Sequence, residues 1–389
     1  MQKTEKTALG IRMDLAENPM PNYRALKDEG SIIPNDGLVP TPSEWVATSW
    51  ETVSFVLRNA EMFSSADTGQ AGRMGSARPL IPLEIDPPEH HRYRKILDPF
   101  FSPNVLRPLE PVLRAQINEY IDAFIDRGSA DLLAEFFVPY PTAVFLTLYG
   151  LPLEDRPTFL RWKDEMIRGS ITDPDLGART AAEFYGYMTP LIEGRDGTGD
   201  DLLSKMVKAG LTVEEILDIT YLFIMAGLDT VTTALSATFA YLATHPEQRR
   251  LIVENPSIVS TAVEELLRVE TPAPALSRRA TADIEVGGVM VKEGEEVFCH
   301  LGAANSDLEG CPNAVDVDLT RTDNRHATFG LGVHRCLGSH LARIEVRLVV
   351  DEFHRRIPNY ALAPDTDLFR VPFFEGFETL PIVFPAGGR

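Results

Sequence analysis

The segment from Thr212 to Thr244 constrains this chain more than any other. Thr212 and Glu215 form a T-x-x-E capping box ahead of a largely apolar series, and the series ends at His245-Pro246, where proline cannot continue a helix. At 1.5 Å per residue the spacing predicts a helix of about 48 Å, longer than most globular helices. Upstream, Ser102 and Pro103 make an N-cap and first turn. Leu106, Leu109, Leu113, Ile117, Tyr120, Ile121 and Phe124 then recur at helical spacing, with Gly128 as a stop. A further helix is expected near Ser257 to Arg268.

Sheet signals are fewer. A short helical pattern at Pro21 to Glu29 precedes a strand-like run from Trp45 to Thr48, and the box Thr48-x-x-Glu51 opens another helix. Strand and turn alternate later, through Ile284 and Val286, Gly287-Gly288, Val289 and Val291, Glu293-Gly294, then Val297 and Phe298. The fold class is mainly α with minor β. No repeat and no Ser/Gly or Pro linker divides the 389 residues, so one domain over 1–389 is expected.

Composition excludes several classes. Hydrophobic residues at 44% and charged residues at 24% are globular proportions. A net charge of −20, from 37 Lys+Arg against 57 Asp+Glu, opposes nucleic-acid binding, because phosphate backbones are held by cations. The most apolar run, Ile219 to Leu228, falls short of the roughly 20 residues that span a bilayer. The N-terminus MQKTEKTALG has no signal-peptide core. No membrane association and a cytoplasmic location are expected. Cys299, Cys311 and Cys336 form no C-x-x-C, which fits a reducing compartment.

The sharpest chemical signal is Phe329-Gly330-Leu331-Gly332-Val333-His334-Arg335-Cys336-Leu337-Gly338, followed by a helix with Leu337, Leu341, Ile344 and Leu348 on one face. Gly330 and Gly332 allow backbone geometry closed to other residues, and Gly338 allows close approach of another group. The helix start favours a thiolate at Cys336, suited to a metal. A lone cysteine is otherwise a buried, inert residue. The pattern F-G-x-G-x-H-x-C-x-G resembles the heme-binding loop of the cytochrome P450 superfamily. That resemblance implies Cys336 as the axial thiolate of heme b (iron protoporphyrin IX), with Phe329, Gly330, His334 and Gly338 also against the cofactor, and it gives Cys299 and Cys311 no such role.

Three further elements match in order. Glu265-x-x-Arg268 places a carboxylate and a guanidinium three apart on one helix, a pair common on solvated faces. Beside the Cys336 loop it resembles the family's E-x-x-R element, with Arg321 as third member and a structural role. Ala226-Gly227-Leu228-Asp229-Thr230 interrupts an apolar run with residues that are locally unfavourable to a helix. Alone, Asp229 and Thr230 read as facing solvent or bonding backbone carbonyls; in context they resemble the family's oxygen-activation motif, in which Gly227, Asp229 and Thr230 are catalytic. Val231 stands where many relatives have Thr or Ser. His90 and Arg94, four apart, match the H-x-x-x-R element expected to bind heme propionates, as does Arg278. The neighbours His91 and Arg279 leave the choice within each pair open.

The resemblance implies the triangular, mainly helical P450 fold and a heme-thiolate monooxygenase that takes dioxygen and a hydrophobic small molecule, such as a terpenoid, fatty acid or steroid. Electrons would come from NAD(P)H through a ferredoxin and ferredoxin reductase, docking near Arg92, Lys95, Arg335 and Arg347. By analogy the pocket is lined by Leu222, Met225, Ala226, Leu276 and Phe373 or Phe374, with the Arg73 to Leu83 loop. A peroxide-driven peroxygenase and a non-catalytic heme sensor or ligand binder remain alternatives.

Overall fold

The computed structural model describes residues 18–38, 42–66, 68, 76, 78–169, 173–307, 309, 311, 313–366, 368 and 377–387. The Thr212 capping box forms as expected: Glu215 N–H donates to the Thr212 hydroxyl at 3.2 Å and Thr212 N–H to the Glu215 carboxylate at 2.8 Å. The helix runs unbroken over Val213–Thr244, 32 residues. Gly227 does not open it, because roughly 1 kcal/mol of poor propensity is small against the packing of so long an apolar helix. Val213–Thr244 is also long and apolar enough to cross a bilayer, a property that the uninterrupted apolar run did not register. Yet 72% of its most apolar window is buried inside the protein.

Two compact units divide the chain, and the long helix contributes 213–229 to one and 230–244 to the other. The first holds residues 1–64, 110–137 and 230–389. Its five-stranded sheet has the order Ile32–Pro34, Trp45–Ala47, Glu296–His300, Ala275–Ala280, Phe63–Ser64. Only the pairing of Trp45–Ala47 with Glu296–His300 is parallel. Val53, Val56 and Leu57 of the helix Trp50–Arg58 join Phe63, Val297 and Cys299 in its core. That helix is capped by Ser49, whose hydroxyl accepts from Thr52 N–H at 3.1 Å, and not by Thr48. The Thr48 hydroxyl is already committed to the Gly30 carbonyl. Gly287 and Gly288, at φ +53° and +83°, turn the hairpin Ile284–Val286 and Val289–Val291. The helices Val259–Glu270 and Ser339–Arg356 flank the loop that carries Cys336.

The second unit holds 65–109 and 138–229 and is helical: Glu89–Leu97, Pro139–Tyr149, Arg156–Asp164, Pro174–Glu193, Leu202–Lys208 and the first half of the long helix. Its core is aromatic. Trp162 meets Phe159, Phe184 and Tyr187 edge-on at 5.0 to 5.8 Å between ring centres. The single helix expected from Ser102 onward comes in pieces: Pro103–Leu106, a 3-10 stretch Arg107–Leu109 around Pro108, and Glu110–Asp122. Pro108 has no N–H to sustain the α pattern there.

Candidate active site

Gly330 and Gly332 adopt φ +67° and +71°, which side chains disfavour, and a Cβ on Gly332 would strike the Leu57 carbonyl oxygen. These turns let Cys336 N–H donate to the Phe329 carbonyl at 2.7 Å, folding the loop back on itself. The helix Ser339–Arg356 starts immediately after Gly338, where a Cβ would stand 4.0 Å from the Cys336 sulfur. Cys336 is exposed, whereas Cys299 and Cys311 are buried. Burial pushes the Cys299 thiol up to about 12, so it is no candidate thiolate.

Two ionic clusters on the helix Val259–Glu270 fasten the chain that leads into the loop and the loop's first residue. In the first, Glu265 and Arg268 are fully buried and joined by two hydrogen bonds of 2.8 Å. Arg268 also donates to the carbonyls of Asn305 and Ala314, at 3.0 and 2.6 Å. Glu265 accepts further from Arg321 at 3.2 Å, Asn324 at 2.9 Å and the Asp318 N–H at 2.9 Å. Burial works against the Glu265 charge, and these donors, Arg268 first, still hold its carboxyl below the usual range.

The second cluster has no counterpart in the motifs. Glu264 accepts from Arg343 at 2.5 and 3.0 Å and contacts His326 Nε2 at 3.0 Å. The Arg343 guanidinium stacks 4.2 Å over the Phe329 ring. Burial opposes the Glu264 charge, but His326 and Arg343 bring its carboxyl down to about 2. Phe329, the first residue of the thiol loop, is thereby fixed to the helix Val259–Glu270.

In the strand Ala275–Ala280, Arg278 is buried and donates to the Ser277 carbonyl at 2.7 Å, while Arg279 pairs outward with Glu296 at 2.6 Å. The alternation of a strand thus places Arg278 inward. Leu276 lies 3.3 Å from the Cβ position of Gly330, and His334 is half-buried.

In the second unit His90 is buried and His91 exposed. Burial first, then the charges of Arg94 and His91, lowers His90 to about 4, so its imidazole is neutral near pH 7. Arg94 pairs with Asp98 at 2.7 Å. Leu222 and Met225 are buried, but Ala226 and Gly227 are exposed in the middle of the long helix, and beyond its chain neighbours and the adjoining helix backbone nothing described lies within 4 Å of a Cβ built on Gly227. Thr230, one turn on, is half-buried.

Asp229 is 2% exposed and faces the other way, onto Lys163 at 2.6 Å. Lys163 was not marked by any motif: in Arg161-Trp162-Lys163-Asp164 it reads as an ordinary polar helix position. Of the expected docking cations, Arg92 pairs with Glu215 at 2.5 Å and Arg347 with Glu110 at 3.0 Å, while Lys95 and Arg335 are exposed. Phe373, Phe374 and residues 73–75 and 77 of the Arg73 to Leu83 loop lie outside the described residues.

The exposed cysteine among the described residues stands just ahead of the helix Ser339–Arg356, and the adjacent Asp229 and Thr230 lie inside the longest described helix of a mainly helical chain, the arrangement that the sequence motifs lead one to expect. The Cytochrome P450 family profile matches residues 192–357. Cytochrome P450 CYP107DY1 of Priestia megaterium is 32% identical over 87% of this chain and 89% of its own length. The Vitamin D(3) 25-hydroxylase of Pseudonocardia autotrophica is 31% identical over 90% of this chain and 89% of its own. The crystal structure of P450BioI in complex with hexadec-9Z-enoic acid ligated acyl carrier protein superimposes with a TM-score of 0.86 at 29% identity, covering 95% of this chain and 99% of that one. The chain belongs to the cytochrome P450 family and has its fold; it is a monooxygenase, an oxidoreductase whose family implies a heme-iron cofactor.

Proposed function

We propose that this chain, as a single domain over 1–389, inserts one oxygen atom of dioxygen into a hydrophobic small molecule, with electrons from NAD(P)H delivered by a ferredoxin and its reductase in the cytoplasm. Heme b on the Cys336 thiolate would supply dioxygen binding and reduction, the thiolate favouring O–O cleavage. The residues present fit that group. Cys336 offers an exposed sulfur beside Gly338, Arg278 is a buried cation, and neutral His90 retains one N–H donor, suited with Arg94 and His334 to carboxylates. The open face at Ala226 and Gly227 suits a flat apolar ring.

The observation that carries the reading is the pair Asp229 and Thr230. Burying a carboxylate costs several kcal/mol, and here it comes with its own buried counter-ion. Such a group has a use where dioxygen reduction must be given protons in a site that excludes water. Neither a peroxide-driven peroxygenase nor a heme sensor needs it. Thr230 would hold a water by its hydroxyl, and Asp229 would feed that water protons.

Leu222, Met225, Ala226 and Leu276 are apolar, and with Phe373 they favour a terpenoid, fatty acid or steroid. The fatty-acyl and vitamin D names of the two relatives support the latter classes. Titrating compounds of these three classes and following the Soret band identifies the binders. Asp229→Asn should then keep heme and binding but slow turnover by roughly 10²- to 10⁴-fold. Thr230→Ala should still consume NADH while releasing peroxide in place of product. Equal product per NADH in wild type and Thr230→Ala would overturn this role for the pair.

A further inference from the structure

Arg78 and Asp218 form an ion pair that leaves bonding capacity unused. Arg78 Nη2 lies 2.6 Å from Asp218 Oδ1, and the Asp218 side chain is 10% exposed. The contact is close but poorly aligned: Arg78 Nε, Arg78 Nη2 and Asp218 Oδ1 are all buried, and none has a hydrogen-bond partner among the described residues. The guanidinium is nevertheless held in place. It lies 4.8 Å over the Tyr185 ring, and the Ser76 hydroxyl donates to the Arg78 carbonyl at 2.8 Å and accepts from the Arg78 N–H at 3.2 Å. Buried polar atoms without partners are costly, so a donor and an acceptor kept free beside each other suit a group that meets both. On the helix Val213–Thr244, Asp218 stands four residues before Leu222 and eight before Ala226. The three share one stripe, within about 80° around the axis, and eight residues span about 12 Å. Ala226, at the far end of that stripe, is exposed.

We propose that Arg78 and Asp218 form a hydroxyl-binding subsite, and that the substrate is a long apolar alcohol whose hydroxyl is held about 12 Å from the carbon that is oxidised; this rests on the reading of the Ala226 and Gly227 face as the place of oxidation. A hydroxyl both donates and accepts, so its proton goes to Asp218 Oδ1 while its oxygen takes the Arg78 Nε–H. The apolar body then lies along Leu222 towards Ala226. A ketone or an ether only accepts, and it leaves Asp218 unpaired. A carboxylate also only accepts, and it sets a second negative charge against Asp218. Burial raises the Asp218 carboxyl to about 6, against the pull of Arg78 and with a further push from Glu214, so the group is mostly charged at neutral pH and that repulsion applies. Among the classes considered above, an alcohol on a steroid or terpenoid skeleton fits this subsite and a fatty acid does not.

Dodecan-1-ol, its methyl ether and dodecanoate test this, because they share one flexible chain and differ at the head group. In calorimetric titrations of the heme-loaded full chain, the alcohol should bind about tenfold or more tightly than either of the others, since each of those leaves a buried group unsatisfied. Asp218→Asn removes the like charge while Arg78 stays, and it should tighten dodecanoate by about tenfold. Arg78→Met should weaken the alcohol and the ether alike, because both accept from Nε. No binding of the alcohol, or an alcohol that binds no better than the ether in wild type, would overturn the proposal and leave the free atoms to water. Unchanged dodecanoate affinity in Asp218→Asn together with unchanged alcohol affinity in Arg78→Met would overturn it as well. The position of oxidation separates the two readings: product oxidised towards the far end of dodecan-1-ol supports both. Oxidation beside the hydroxyl, with the binding preferences intact, would instead fail the parent reading of the Ala226 and Gly227 face.

Discussion

Lys163 Nζ lies 2.6 Å from Asp229 Oδ1, and both side chains are 3% exposed. Removing one member leaves the other's charge inside the protein, so Lys163→Met should destabilise the fold by roughly 3–5 kcal/mol. Asp229→Asn should cost less, because Lys163 keeps Asp164 at 2.9 Å. Pairing Lys163→Met with Asp229→Asn should recover most of the loss. Urea unfolding of the four proteins measures the coupling, and strictly additive losses would remove the pair from any account of stability.

Cys336 is the sulfur available to a cofactor among the described residues, because Cys299 and Cys311 are buried. The purified protein should bind heme, and its reduced carbon monoxide complex should absorb at the position typical of thiolate ligation. Cys336→His should abolish that band, and Cys299→Ala should retain it. Retention of the band in Cys336→His would sink the ligand assignment.

Glu265 gathers Arg268, Arg321, Asn324 and the Asp318 N–H around one fully buried carboxylate. Glu265→Gln strands Arg268 without its counter-charge, and a loss of roughly 3–5 kcal/mol is expected, with poor heme retention. Arg268→Lys should fare little better, since an ammonium cannot span both Glu265 oxygens and two carbonyls. Thermal melts with heme content as a second readout test this, and a wild-type melt for Glu265→Gln would contradict it.

Glu264 titrates at about 2 in the folded protein against 4.5 for an unconstrained glutamate. A lowered carboxyl contributes stability that is complete above pH 4.5 and disappears as the pH falls towards 2. Acid unfolding should therefore be steeper in wild type than in Glu264→Gln across that window. Above pH 5 the substitution should cost roughly 1–3 kcal/mol, because Arg343 and His326 lose a charged partner. Parallel acid-unfolding curves for the two proteins would show that Glu264 does not matter to this stability.

Sequence by itself determined those features whose causes are local. The Thr212 box and the His245-Pro246 stop bound the long helix through interactions spanning three or four residues. Gly330 and Gly332 of the Cys336 loop take the positive φ that their residue type invites, and Glu265 meets Arg268 because positions three apart share a helix face. Tertiary structure decided the choices between near-equals and all the distant partners. Thr48 and Ser49 are both good caps, and Ser49 takes the role because a carbonyl eighteen residues back, that of Gly30, binds the Thr48 hydroxyl. His90 rather than His91 and Arg278 rather than Arg279 is the buried member of its pair because of which face of each element is packed. Lys163 reaches Asp229 across 66 residues of chain and Arg343 reaches Glu264 across 79. A charged side chain shows its own chemistry in the sequence, but burial selects its partner, and burial follows from the assembly of many apolar faces at once.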